Sequence, residues 1–275
     1  MKTSLALVAA LLVLPATAAE DVPFITTPDA VTLEMLRLAG TGPRDRVLDL
    51  GSGDGRIVIT AAKRFGARGT GVEIVPELVA RSRENAKAAG VADRARFVEQ
   101  DLFATDLSEA TVITMYLLPD VNLQLRPAIL ALRPGTRVVS HDWDMGDWAP
   151  ERTVTVPVPD KAIGLAKSSR VHLWIVPARV AGAWCGEGRH RGWSLAFTQA
   201  FQGAQGTLLA PGARDAAVAF ASRIEGARVV ANPAPDGRLA FRAGPATLSV
   251  TEATGRFARL AKASFRLRGG DACPS

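Results

Sequence analysis

Val47-Leu-Asp-Leu-Gly-Ser-Gly-Asp-Gly55 is the stretch that decides how this chain is read. Val47, Leu48 and Leu50 close a short apolar strand. Three glycines in five positions then permit a sharp turn, and residues 57–65 continue with helical spacing. A glycine turn between strand and helix lets backbone N–H groups approach a ligand closely. Such a turn can also serve only as a connection, so the motif alone is weak. Two acids strengthen it. Glu73 ends the next strand, where a carboxylate can accept both hydroxyls of a ribose. Asp101 ends the third strand, where it can accept from an adenine amino group. Asp49 precedes the loop and is expected to orient it through backbone N–H groups, or to contact a ligand amino group. Arg56 stands where a dinucleotide fingerprint places its third glycine, which counts against NAD. No G-x-x-x-x-G-K-[ST] stretch exists to hold a nucleoside triphosphate.

Outward from the loop, strand and helix patterns alternate. Val31, Met35 and Leu38 recur on one helical face within 27–40, and Gly40 ends it. Strands are predicted at 46–50, 69–74, 96–100, 111–118 and 137–143, with helices at 76–90 and 119–132. An antiparallel pair is predicted at 152–158 and 170–176. Alternation of this kind implies crossover connections and a mostly parallel α/β sheet covered on both faces. After Pro177 the helical pattern stops. Short strands are predicted at 182–184, 193–202, 205–209, 216–224, 227–232, 238–242, 247–251 and 264–267, with turns at Gly203 and Ala234-Pro-Asp-Gly237. That regularity predicts a small all-β domain, a meander closed into a barrel or sandwich.

Composition is that of a globular protein, 48% hydrophobic and 22% charged over 275 residues. Two cysteines exclude a disulfide-dense scaffold. His141, His172 and His190 are too scattered for a His-built metal centre, so no metal is expected. Lys2, the apolar run 5–14, Pro15 and Ala16-Thr17-Ala18 have the layout of a cleaved signal peptide over 1–19. Ten apolar residues are too few to span a bilayer. The expected organisation is therefore a signal at 1–19, an α/β domain at 20–178 and a β domain at 179–275. The mature chain is expected outside the cytoplasm, in the periplasm, with cytoplasmic retention as the alternative. Of the 33 basic and 27 acidic residues, thirteen and six fall from Arg179 on, leaving twenty and twenty-one before it. The basic tail is read as scattered solvated arginines, with contact to an anionic lipid or protein surface as the sharper alternative. Arg256-Phe-Ala-Arg259 and Phe265-Arg-Leu-Arg268 interleave cation and aromatic, but no nucleic-acid motif accompanies them.

Val47 to Gly55, Val72-Glu73 and Glu99-Gln100-Asp101-Leu102 resemble the three motifs of Rossmann-like S-adenosylmethionine-dependent methyltransferases. The likeness covers 22–178. Val22-Pro-Phe-Ile-Thr-Thr-Pro28, Asp49 to Val58 and Met115-Tyr-Leu-Leu-Pro119 resemble more narrowly the mitochondrial and archaeal protein-lysine methyltransferases, those of the ATP synthase c-subunit type. The resemblance implies sheet order 3-2-1-4-5-7-6 and S-adenosylmethionine as cofactor. It implies a protein lysine as acceptor, and cofactor contacts from Gly51, Ser52, Gly53, Asp54, Gly55, Glu73, Asp101 and Leu102. It also implies that Pro23, Phe24, Thr26 and Thr27 close over cofactor and acceptor, with Phe24 and Thr27 touching the cofactor.

Methyl transfer needs a neutral nucleophile held in line with the sulfonium more than it needs acid–base machinery. Tyr116, the only tyrosine, is expected beside the methyl position with its hydroxyl orienting the amine. Asn122 is a second candidate acceptor from the helix that follows, although an asparagine on an exposed helix face is the more ordinary reading. His141, Asp142 and Asp144 are candidates for attracting a cationic amine. The plainer reading is a solvated loop with Trp143 and Trp148 packed inward. Cys185 and Cys273 flank the β domain, and a closing meander in an exported chain would pair them. Two other functions stay open: an exported, methyltransferase-like binding protein without turnover, and a methyltransferase for small molecules.

Overall fold

The computed structural model describes residues 25–161, 166–212, 217–232, 237–268 and Cys273. The expected signal at 1–19, Pro23, Phe24 and residues 234–236 of the predicted turn at Ala234-Pro-Asp-Gly237 lie outside the described residues.

Seven strands form the first sheet: β1 (Arg46–Leu50), β2 (Arg68–Glu73), β3 (Ala95–Glu99), β4 (Val112–Met115), β5 (Arg137–His141), β6 (Arg152–Pro157) and β7 (Ser168–Ile175). Their order is 3-2-1-4-5-7-6. The pairs from β3 through β5 are parallel, and β7 runs antiparallel to both β5 and β6. Helices α1 (Asp29–Leu38), α2 (Arg56–Phe65), α3 (Pro76–Ala88) and α4 (Pro119–Leu130) cover it. Side-chain alternation divides the core. Val47, Val112, Val139 and Val171 pack with Val31, Met35, Ile57 and Ala61 of α1 and α2. Leu48, Leu50, Ile113, Met115 and Val138 pack instead with Leu125 and Ile129 of α4 and with Trp148 and Trp174. Parallel strands put the carboxyl ends of β1 to β5 on one edge, which is where a ligand binds in such sheets.

Among the elements whose bounds differ from their sequence prediction, three lie near the site. β4 ends at Met115 rather than at 118, because Pro119 opens α4 and Leu118 is extended as its cap. β5 ends at His141, because Asp142 adopts a left-handed φ of 61°. The first helix begins at Asp29, behind Pro28.

The C-terminal strands are β8 (Gly182–Gly186), β9 (Ser194–Ala200), β10 (Gly203–Leu209), β11 (Val218–Glu225), β12 (Arg228–Asn232), β13 (Leu239–Ala243), β14 (Thr247–Ala253) and β15 (Ser264–Arg268). They close into an antiparallel barrel, β15 returning to β8 with Phe265 opposite Gly186. Of the two expected shapes it is therefore a barrel. Trp184, Phe197, Phe220, Phe241, Leu248 and Phe265 belong to its core, as eight strands leave just enough interior for side chains. The predicted strand 193–202 is cut short: β9 turns into β10 through Phe201 and Gln202, and Gly203 is already in β10. Cys185 of β8 is bonded to Cys273, their Cα atoms 5.4 Å apart.

The tail arginines are not a uniform patch. Arg223, Arg228, Arg238 and Arg266 have carboxylate partners in Glu151, Glu225, Glu252 and Glu187. Phe257 and Phe265, the aromatics interleaved with arginine, are buried in the barrel.

Candidate active site

The glycine loop leaves β1 and is fastened to β2. Gly51 and Ser52 both donate to the Val72 carbonyl at 2.9 Å. Gly55, with φ of 82°, precedes α2, and a Cβ there would lie 2.6 Å from the Phe97 ring. Gly71 is equally confined, since a Cβ would meet Phe97 and Ser52 at 2.6 Å. Both positions therefore exclude a side chain, and Ser52 can settle against β2. Its buried hydroxyl has no partner among the described residues.

Glu73 organises the far side of the loop. Its Oε2 accepts from Gly53 N–H at 2.9 Å, and its Oε1 accepts from Ile74 and Val75 N–H at 2.9 and 3.1 Å. Asp101 is exposed and caps a single turn of 3-10 helix, accepting from Phe103 N–H at 2.8 Å, with Leu102 half-buried beside it. Apolar side chains lie open on this edge: Ile74 is 66% exposed and Phe103 52%. Neither stands out in the sequence. Ile74 has the look of the last residue of a strand, but β2 stops one residue earlier, at Glu73.

Asp49 makes no bond to the loop. It is buried and accepts from the Thr114 hydroxyl at 2.7 Å. Burial pushes its carboxyl up to about 8, against the help of Thr114, and the charges of Glu73 and Asp54 add to the rise. Of its two expected roles, orienting the loop through backbone N–H groups is not seen. Asp54 is bound to Arg56, whose guanidinium also donates to the Thr27 carbonyl at 2.9 Å. The segment ahead of α1 is thus tied to the glycine loop.

Thr27, Tyr116 and His141 meet above β4 and β5. The Tyr116 and His141 ring centroids are 3.9 Å apart. His141 is buried, with Nδ1 3.3 Å from the Thr27 hydroxyl and Nε2 2.8 Å from that of Ser169. Burial brings its imidazole down to about 4, although Asp142 opposes the shift. It is therefore a neutral interior ring at pH 7 rather than part of a charged loop. Burial and the Asp142 charge both raise the Tyr116 phenol. Its hydroxyl has no partner among the described residues.

The carboxylates after β5 are largely committed. Burial would raise Asp142, but Lys161 at 2.7 Å and Arg170 N–H at 2.8 Å hold it below the usual carboxylate range. Asp144 is exposed and accepts from Gly146 N–H at 3.0 Å. Of the two tryptophans only Trp148 packs inward, and Trp143 is 41% exposed. Asn122 is fully buried, which corrects the exposed-helix reading. Its Nδ2 donates to the Asp144 carbonyl at 3.1 Å, and its Oδ1 has no partner among the described residues.

Residues 49–152 match the family model of the ANTKMT methyltransferase domain. The chain is 45% identical over 137 residues to the protein-lysine N-methyltransferase of Saccharolobus islandicus, covering 49% of this chain and 85% of that protein. It is 37% identical over 111 residues to the ATP synthase c-subunit lysine N-methyltransferase of Mus musculus, covering 40% of this chain and 44% of that protein. Among solved structures, an RNA methyltransferase from Salinibacter ruber in complex with S-adenosyl-L-homocysteine is 52% identical. Its TM-score is 0.51, and the match covers 57% of this chain and 96% of that one. With the 3-2-1-4-5-7-6 sheet, the glycine loop and these matches, the chain belongs to the family of S-adenosylmethionine-dependent methyltransferases that includes the archaeal enzyme.

Proposed function

We propose that this methyltransferase acts on lysine amines of a protein. The observation that carries the reading is the Tyr116 hydroxyl, half-buried beside a neutral His141 at the end of β4, in a chain 45% identical to a protein-lysine methyltransferase.

The residues present fit the cofactor. Ser52 keeps a buried hydroxyl unpaired, the loop has no room for larger side chains at Gly55, and apolar Ile74 and Phe103 stand open beside Glu73 and Asp101. S-adenosylmethionine supplies a methyl group already activated on a sulfonium. Glu73 would take the ribose hydroxyls, Asp101 the adenine amino group, and Asp49 the cationic amino end. His141, brought down to about 4 by burial, is a weak base at pH 7. An incoming lysine therefore reaches its neutral form by desolvation next to positive charge. Tyr116 Oη then accepts from the amine and aims its lone pair.

Incubation of the mature protein with methyl-tritiated S-adenosylmethionine and a pool of lysine-containing peptides should place label on lysine, each step adding one methyl in the mass spectrum. Label on RNA and none on peptide would overturn the reading. Tyr116→Phe should slow transfer roughly tenfold, the worth of one hydrogen bond, with cofactor affinity unchanged. Equal single-turnover rates would remove Tyr116 from the chemistry.

Asp49 makes cofactor binding pH-dependent. Its carboxyl carries a proton below about 8 and must release it to pair with an ammonium. Affinity should therefore rise with pH between 6 and 8, by up to about tenfold per unit where one proton is released. Asp49→Asn should flatten that slope in calorimetric titrations. An unchanged slope would place Asp49 away from the cofactor.

We also assign 1–19 to a cleaved export signal, 20–178 to the catalytic unit and 179–275 to the barrel unit. The Cys185–Cys273 bond supports an oxidising compartment, as disulfides persist outside the reducing cytoplasm.

A further inference from the structure

The barrel meets the catalytic half at the tips of two hairpins: at the β11–β12 turn a Cβ on Gly226 would lie 3.2 Å from Gly135, and the β9–β10 turn reaches the loop after β5. Phe201 and Gln202 form the two-residue turn between β9 and β10. Phe201 sits at a φ of 51°, a left-handed conformation that a bulky residue seldom adopts and that Gly or Asn usually supplies in such turns. Its ring lies parallel to that of Trp148, centroids 6.0 Å apart, and the Arg126 guanidinium of α4 stands 5.6 Å from its centre. Gln202 spends both ends of its amide on the same loop. Its Oε1 accepts from the Trp148 indole N–H at 3.0 Å, and its Nε2 donates to the Ala149 carbonyl at 3.0 Å. Arg223 of β11 pairs with Glu151 at the end of that loop.

The loop is the one that follows β5 and His141. From the catalytic side it is held by Asn122 on the Asp144 carbonyl, by Arg126 on the Met145 carbonyl at 2.8 Å, and by Trp174 on the Trp148 carbonyl at 2.6 Å. The α4 face of the sheet carries one helix among the described residues. Trp148, with Phe201 against it, completes that face. Barrel side chains thus belong to the same core as β4 and β5.

We propose that Phe201 and Gln202 are positioning residues for methyl transfer. By fixing Trp148 and Ala149 they set the 142–149 loop, and with it Asn122 and the exposed Trp143, where the acceptor is received. The barrel would then be a structural part of the acceptor site rather than an independent appendage. The assignment of the loop to the acceptor rests on the proposed lysine reading. The contacts that hold it do not.

The test uses the full mature chain. In Phe201→Ala/Gln202→Ala, amide hydrogen exchange at 143–149 should accelerate at least tenfold. The dissociation constant for S-adenosylmethionine should stay within about twofold of the parent, and kcat/KM on the lysine peptide pool should fall at least tenfold. Phe201→Tyr, which keeps the ring, should retain parent exchange and parent kcat/KM. Unchanged exchange would overturn the proposal, as would faster exchange with unchanged kcat/KM. Should the double variant fail to fold, Gln202→Glu decides. It removes the donor to Ala149 while keeping an acceptor for Trp148, and must speed exchange at least threefold. A parent that methylates no peptide overturns the lysine reading, and the exchange result then judges the proposal alone.

Discussion

Glu73→Ala is expected to weaken S-adenosylmethionine binding by two orders of magnitude or more. Two losses combine. On the proposed reading the variant leaves the ribose hydroxyls without a charged acceptor, and hydrogen bonds to charged groups are worth about 1.5–3 kcal/mol each. It also frees the N–H groups of Gly53, Ile74 and Val75, all of which end on this one carboxylate. Gly53 lies in the middle of the glycine loop, so the loop loses one of its fastenings before any ligand arrives and keeps those of Gly51 and Ser52 to the Val72 carbonyl. Glu73→Gln keeps an oxygen for the Ile74 and Val75 amides but turns an amide NH2, a donor that cannot accept, toward Gly53 N–H. It should fall between parent and alanine variant. Isothermal titration distinguishes the three, and parent affinity in Glu73→Ala would show that the ribose is held elsewhere.

Cys185→Ser/Cys273→Ser should be the most destabilising change away from the catalytic half. The bond closes a segment of 88 residues. The chain-entropy relation gives about 4–5 kcal/mol for loops of that order. For a domain of barrel size each kcal/mol moves the midpoint by about 4–8 °C, so the barrel transition should fall by roughly 20 °C or more. Scanning calorimetry with and without reductant measures it. A barrel transition that ignores both reduction and substitution would mean that the bond contributes nothing to its stability. Thiol titration of denatured, unreduced protein from the periplasm should find no free thiol. Two free thiols would remove the support for export.

The catalytic half is readable from sequence because its signals are local. Glycines at 51, 53 and 55, a proline opening each of α3 and α4, and β-branched strands between them all act within a few residues. Asn122 is legible too, although its residue type argues for an exposed place. It stands three residues before Leu125 and seven before Ile129, the other two buried positions of α4, so helical period already puts it on the inner face. Trp143 and Trp148 are not legible. They lie in a loop without period, and which one turns inward depends on Trp174, Gln202 and Phe201, distant in sequence. The β9–β10 turn escapes the sequence for a related reason. Phe-Gln carries no turn preference, and the contact that makes its left-handed backbone worthwhile is with another part of the fold.

The closed barrel has a consequence for the order in which the chain assembles. From β9 to β15 every pairing joins strands adjacent in sequence, whereas closure joins β15 to β8 across most of the domain. Local hairpins form in microseconds, and long-range pairing waits on loop-closure entropy. The β9–β10 hairpin needs only its own residues to present Phe201 and Gln202. The catalytic half can therefore receive its brace before the barrel has finished closing, and the longest-range pairing of the barrel is left to the β15–β8 seam.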